Sequence, residues 1–465
     1  MFLTPGVRRQ LAAALTCSLC CLITELMVGW AAPSLKKLRE PDSPVHLTRH
    51  QEAWVVNAMY YGNIVSPLPS GFLINLIGRK TTLLIVAVLP TMGWVLIYFS
   101  TSATMLMIAR FLYGLWTGVI MTTLPIYTGE ISEPHVRGIF GSFFQICNSV
   151  GSNLSFLVAP YVSIQTMAVL CGSVPIMFII LFSLCPESPY YYVMKKRPDA
   201  AARSLSWLRG GKPVSEELQV IQTSVANEEK RGSRCINLSV PATRKAFVIV
   251  VTMNILQRLS GISFMKAFSS VVMPKVGILS PDHCTIIMGV VWTVSSFICT
   301  ALIDKAGRKP LLYASSLGIF VSMLWTSVWF YLNDKTDVDV SHLSWLPLAG
   351  VLVYGCTFSF GLGPITKLYP GEMFPSDVKG QAAALTVMIA AFSSSVSTGL
   401  APILNENFGV YSNFLIFSLI GLINLLFTYF CVVETKGKSL QLIQAQLRGE
   451  KLDEIRDSDA SEKHA

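Results

Sequence analysis

The sequence predicts an all-α membrane protein with twelve transmembrane helices in two pseudo-symmetric six-helix halves. Three observations lead there: an unusually apolar composition, twelve apolar runs of spanning length, and motifs that recur in the same order. Of 465 residues, 52% are hydrophobic and only 14% are charged, and the mean hydropathy is +0.54. Soluble domains carry roughly a quarter charged residues. A bilayer core about 30 Å thick takes about 20 apolar residues to cross as helix.

The runs cover residues 11–31, 53–77, 82–100, 104–126, 139–162, 167–185, 246–273, 284–303, 311–332, 346–369, 381–404 and 411–433, numbered here as spans 1 to 12. A globular core accounts for one or two such runs, not twelve. The first is long and leads into "GWAAPSL" without a small-residue cleavage site, so it reads as span 1. The formal net charge is +9. Its basic residues gather in alternate loops, which places both termini in the cytoplasm and argues against nucleic acid as a partner. Lys36, Lys37, Arg39 and Arg49, in the outer segment 34–52, break that pattern, and the sequence offers no reason. The eleven cysteines fall mostly within spans and lack metal-type spacing with histidine, which points to small apolar packing and no metal.

The organisation follows from these runs. Residues 1–185 form a first six-helix bundle, 186–245 a polar cytoplasmic linker with short helices, 246–433 a second bundle, and 434–465 a cytoplasmic tail. Within the linker, "DAAARSLSWL" and "SEELQVIQTSVANEEK" read as amphipathic helices, the second with Ser215 as N-cap.

Self-comparison shows duplication. "LINLIGRK" at 73–80 returns as "LIDKAGRK" at 302–309, and "YTGEISEPHVRG" at 127–138 returns as "YPGEMFPSDVKG" at 369–380. Two matches in register, both at span ends, indicate an internal repeat. Each half therefore presents a Gly-Arg-Lys turn and a glutamate followed by a cation. Glu130 with Arg79 and Arg137, and Glu372 with Arg308 and Lys379, beside Asp304, are candidate gating ion pairs at the cytoplasmic ends. The plainer alternative is that these charges only orient the chain in the membrane.

These pieces, together with "RFLYG" in span 4, "PESP" after span 6, "QRLSGI" in span 7, "GLGPI" and "GEMFP" around span 10, and "ETKGKSL" after span 12, resemble the sugar porter branch of the major facilitator superfamily. The "GWAAP" ending of span 1 is similar to insect facilitated trehalose and glucose transporters. The resemblance implies the major facilitator fold and places Gln145 and Gln257 where sugar hydroxyls are bound; an amide offers donor and acceptor at once. Interhelical bonding is their alternative role. Several positions depart from the family pattern. Arg258 replaces a second glutamine, Ser263 an asparagine, Lys367 a tryptophan, Ala390 and Ala391 an Asn-Trp pair, Tyr190 an arginine and Asn75 an aspartate.

Arg258, Lys266 and Lys367 thus lie within spans, where a lipid-facing cation costs at least about 2.5–3.5 kcal/mol. Glu25 in span 1 is a possible proton or charge site, and the resemblance offers Arg110 of "RFLYG" as its partner. Three readings stay open: Glu25 pairs with a cation structurally, the cations shape a cavity for an anionic solute, or Glu25 titrates during transport. With no "GxxxxGK[ST]" loop, triad or metal signature, neither enzyme chemistry nor a cofactor is expected. The expected function is alternating-access movement of a small sugar, a hexose or a trehalose-like disaccharide, by facilitated diffusion across the plasma membrane. The alternatives are proton symport, an anionic sugar derivative, or a non-transporting nutrient sensor on the same scaffold.

Overall fold

The computed structural model describes residues 4–133, 136–231, 240–374 and 376–448, apart from positions 42, 44, 437 and 439; the side chains of Arg137, Asp304 and Lys379 lie outside the described set. Span 1 is α1 (Pro5–Leu38), begun by a proline whose missing N–H costs nothing at the first helical position. Span 2 is α2 (Arg49–Val65) and α3 (Pro67–Ile77). Thr48 and Gln51 close a capping box on α2. Pro67 has no N–H for the helical ladder, and the two helices part there. Span 3 is α4 (Arg79–Val86) and α5 (Val88–Tyr98), and spans 4 to 6 are α6 (Ala103–Ile131), α7 (Arg137–Val158) and α8 (Ile164–Ser183). Ser102 and Ser163 cap α6 and α8.

The linker folds as α9 (Pro189–Met194), α10 (Pro198–Leu208) and α11 (Ser215–Arg231). Ser215 is the first helical residue of α11 and not its cap, a one-residue shift typical of helix ends. Span 7 is α12 (Pro241–Gln257), a π-helical turn at Arg258–Ile262, and α13 (Ser263–Val272). Spans 8 and 9 are α14 (Pro281–Ala306) and α15 (Arg308–Lys335). Span 10 is α16 (Trp345–Phe360) with α17 (Leu362–Met373), spans 11 and 12 are α18 (Ser376–Asn407) and α19 (Tyr411–Phe430), and α20 (Leu440–Arg448) lies in the tail.

Among the described residues, nine helical stretches are long and apolar enough to cross a bilayer. Spans 2, 5 and 8 complete the twelve. Span 2 is split at Pro67, span 5 carries Gln145, Asn148 and Asn153, and the side chains of residues 299–305 in span 8 lie outside the described set.

The chain divides into two compact units. The first is Met1–Gly232 with Phe264–Val272 and Pro281–Gly289; the second is Ser233–Ser263, Met273–Ser280 and Val290–Ala465. Nearly all of α13 and the start of α14 thus pack with the first unit. Its core is built on Trp30, Trp94, Tyr113, Trp116 and Phe178, all essentially inaccessible. Helices α2 and α6 meet backbone to backbone at Gly62 and Gly114. A Cβ at Gly114 would lie 2.0 Å from the Met59 carbonyl oxygen, and one at Gly62 2.4 Å from that of Phe111. Small residues of this kind allow close helix contact in membranes.

The linker is fastened to this unit. Gln10 Nε2 donates to Leu208 O at 3.2 Å. Arg209, 7% exposed, donates to Ile131 O at 3.2 Å and from Nε to Glu217 Oε2 at 2.9 Å. The basic segment 34–52 also finds its reason here. Lys36 pairs with Asp282, Lys37 donates to Val162 O, and Arg39 grips buried Glu52 at 2.6 and 2.7 Å. Three of the four cations that break the positive-inside pattern are therefore spent on partners within the unit.

Candidate functional site

In the first unit, the Gly-Arg-Lys turn is possible because Gly78 adopts φ +103°, a conformation that favours glycine. A Cβ there would meet the Glu187 carboxylate at 2.3 Å. Glu187, from "PESP", accepts the backbone N–H groups of Arg79, Lys80 and Thr81 at 3.0, 2.9 and 3.2 Å. A side chain from the end of span 6 thus supplies the missing N-cap of α4. Arg79 then reaches both carboxylate oxygens of Glu130, with Nη2 at 2.8 Å from Oε1 and Nε at 2.9 Å from Oε2. Tyr127 Oη closes the cluster on Pro186 O at 2.8 Å.

The second unit repeats this construction. Gly307 has φ +92°. Glu434, from "ETKGKSL", accepts the N–H groups of Arg308 and Lys309 at 3.0 and 2.8 Å. Arg308 meets Glu372 Oε1 at 3.0 Å, and Thr435 donates to Glu372 Oε2 at 2.6 Å. Tyr369 Oη donates to Val433 O at 3.4 Å. Burial would raise the Glu434 carboxyl, but the N–H groups of Lys436, Lys309, Arg308 and Thr435 outweigh it and hold the group below the usual carboxylate range.

So the structure brings Arg79 to Glu130 and Arg308 to Glu372, as the spacing suggested, while the side chains of Arg137, Asp304 and Lys379 lie outside the described residues. Sequence reasoning missed Glu187 and Glu434. Their signal was present: Pro186-Glu187-Ser188 and Val433-Glu434-Thr435 follow the last span of each half.

The charges inside the spans sort differently from the family-based expectation. Glu25 meets Lys266, Nζ to Oε2 at 2.9 Å, with side chains 17% and 28% exposed. Arg110 is not its partner. That guanidinium, 2% exposed, donates to Met27 O at 2.7 Å and Val55 O at 3.3 Å and lies over the Trp30 ring at 5.8 Å. With α2 and α6 in backbone contact at Gly62 and Gly114, Arg110 is held beside the carbonyls of α1 and α2.

In the second unit, the π-helical turn of span 7 depends on Gly261, φ +103°, where a Cβ would strike the Phe417 ring at 2.6 Å. Such turns concentrate at functional sites. Gln257, just before it, is 3% exposed and donates Nε2 to the carbonyls of Leu362 and Gly363 at 2.9 and 3.0 Å. Those carbonyls sit where Gly361 separates α16 from α17, so one broken helix braces another. Ser263 is buried and donates to Ser394 Oγ at 2.9 Å. Arg258 lies half-buried on the turn, and Lys367 is exposed on α17. Gln145, on α7 of the first unit, is half-buried and has no hydrogen bond among the described residues.

These elements define a multi-pass membrane protein of two repeated six-helix halves. The family model described as "Sugar (and other) transporter" matches residues 17–447, and the chain belongs to that family. It is 33% identical to the facilitated trehalose transporter of Anopheles gambiae, over 95% of this chain and 56% of that protein. Its likeness to the facilitated trehalose transporter of Culex quinquefasciatus is 32%, over 95% of this chain and 86% of that protein. The chain spans about half the length of the Anopheles and Aedes aegypti relatives. Among solved structures, the xylose transporter of E. coli in a partially occluded inward open conformation superposes with a TM-score of 0.78 at 21% identity. That match covers 93% of this chain and 100% of the other, and it establishes the major facilitator fold.

Proposed function

We propose that the chain moves a small sugar, a hexose or a trehalose-like disaccharide, across the plasma membrane by alternating access and facilitated diffusion, with both termini cytoplasmic. The observation that carries this reading is the duplicated cluster: an Arg–Glu pair tied to a glutamate-capped Gly-Arg-Lys turn in each unit. Paired charges at helix ends hold one arrangement closed and separate without disturbing the apolar cores, as a gate requires. The naming of the mosquito relatives supports sugar as the cargo. The Glu25–Lys266 pair supports passive movement, because Lys266 already supplies the positive charge that a coupled proton would bring.

In this reading Gln145 is the candidate substrate contact of the first unit and Arg258 and Lys367 are those of the second, where the internal bonds of Gln257 and Ser263 fix their helices. Labelled trehalose and glucose uptake into proteoliposomes, with and without a protonophore, tests it. Saturable equilibration unchanged by the protonophore is expected. Binding of sugar without uptake would overturn transport in favour of a sensor, and protonophore-sensitive accumulation would overturn facilitated diffusion.

A second reading, an anionic sugar derivative, is favoured by Arg258 and Lys367, cations on the broken segments of spans 7 and 10. It requires Arg258→Gln and Lys367→Trp to raise neutral-sugar uptake; unchanged uptake would remove it.

A further inference from the structure

A cavity of about 780 Å³ lies in the first unit, away from every residue assigned above to substrate. It opens where the start of α4 and the end of α8 meet the linker helices α9 and α10. Three cations line it: Lys80, Arg197 and Arg203. Arg197 and Arg203 are exposed, and neither forms an ion pair among the described residues. The one carboxylate in its wall, Glu187, already accepts the N–H groups of Arg79, Lys80, Thr81 and Ser188 at 2.8–3.2 Å. The cavity is therefore electropositive and keeps no free anion of its own.

Its other wall is apolar. Ile85, on α4, is 57% exposed and Leu184, just past α8, is 75% exposed. Both sit at the ends of spans, where an accessible apolar surface faces acyl chains. Tyr191 and Trp207 line the cavity as well, and such amphipathic residues mark a membrane–water boundary. A free phosphate or sugar phosphate would satisfy the cations and leave the apolar wall unused. An acyl chain alone would leave the cations unmatched.

We propose that this cavity binds one anionic phospholipid, with its phosphate held by Lys80, Arg197 and Arg203 and its acyl chain lying along Ile85 and Leu184. Basic pockets at the ends of membrane helices hold lipid head groups in this way. The site requires only that the chain spans a bilayer, and it stands whether or not the transport reading holds. Because α9 and α10 are fastened to the first unit through Gln10 and Arg209, an occupied site ties the linker to the lipid surface as well.

Native mass spectrometry of the full chain, titrated with phosphatidylserine or phosphatidylcholine, tests this. One phosphatidylserine is expected to bind at least tenfold more tightly than phosphatidylcholine. Arg197→Gln with Arg203→Gln should weaken it roughly thirtyfold, and the lysine pair at the same positions should restore most of it. Arg8→Gln with Lys212→Gln removes two exposed cations outside the cavity and should change little. Equal binding of the two lipids, or undiminished binding in the glutamine pair, would overturn the proposal. A loss as large in the Arg8/Lys212 control would assign the preference to diffuse surface attraction. Displacement of the lipid by equimolar glycerophosphoserine would show a soluble phosphate site instead.

Discussion

The two helix-end clusters have the same parts but different surroundings. Arg79 and Glu130 have side chains 6% and 14% exposed, and the guanidinium reaches both carboxylate oxygens. Arg308 and Glu372 are 13% and 25% exposed, and Glu372 divides its oxygens between Arg308 and Thr435. Removing one partner of a dry ion pair leaves an uncompensated buried charge, whereas water compensates a wetter one. The comparison teaches that a duplicated motif fixes which groups meet but not how strongly they hold. Burial sets that, and the first unit holds harder.

The largest expected effect is therefore at Arg79. Arg79→Gln should destabilise the protein by about 3 kcal/mol and Arg308→Gln by roughly half as much, read from thermal melting in detergent. An equal or reversed order would break the comparison. Next come the caps. Glu187→Gln weakens a charged cap on three N–H groups of α4, at a cost of about 1–2 kcal/mol. Glu434→Gln should cost less, because that carboxylate is more open to water. Paired melts of the two variants would sharpen the ranking, and a larger loss at Glu434 would count against burial as its cause.

The smallest effect is in pH dependence. The folded Glu434 carboxyl lies below its unfolded counterpart. Its contribution is therefore complete above the unfolded value of about 4.3 and is lost as pH falls through the lower folded one. Melting temperatures between pH 7 and 3 should fall less steeply for Glu434→Gln than for the parent. Identical slopes would remove the capping account.

Much of this construction is legible in the residues alone. Twelve runs and two repeated motifs lead to the helices and to Arg79–Glu130 and Arg308–Glu372, because span length and repeat register depend on local pattern. The partner of Glu25 was not legible. Lys266 lies 241 residues away, and only the break at Gly261, which sorts α13 into the first unit, brings it near. Gln257 is similar: nothing local shows that its amide is taken by the carbonyls that the Gly361 break exposes. Polar residues within spans are read correctly as special, but their partners depend on how helices bend.

The distance between Glu25 and Lys266 along the chain also sets an order of events during synthesis. At about 5–20 residues per second, a ribosome needs roughly ten to fifty seconds to travel from the first to the second. For that interval the first six helices carry a span-embedded carboxylate whose counter-charge does not yet exist. The first unit has its full set of charges only once the seventh span delivers the lysine.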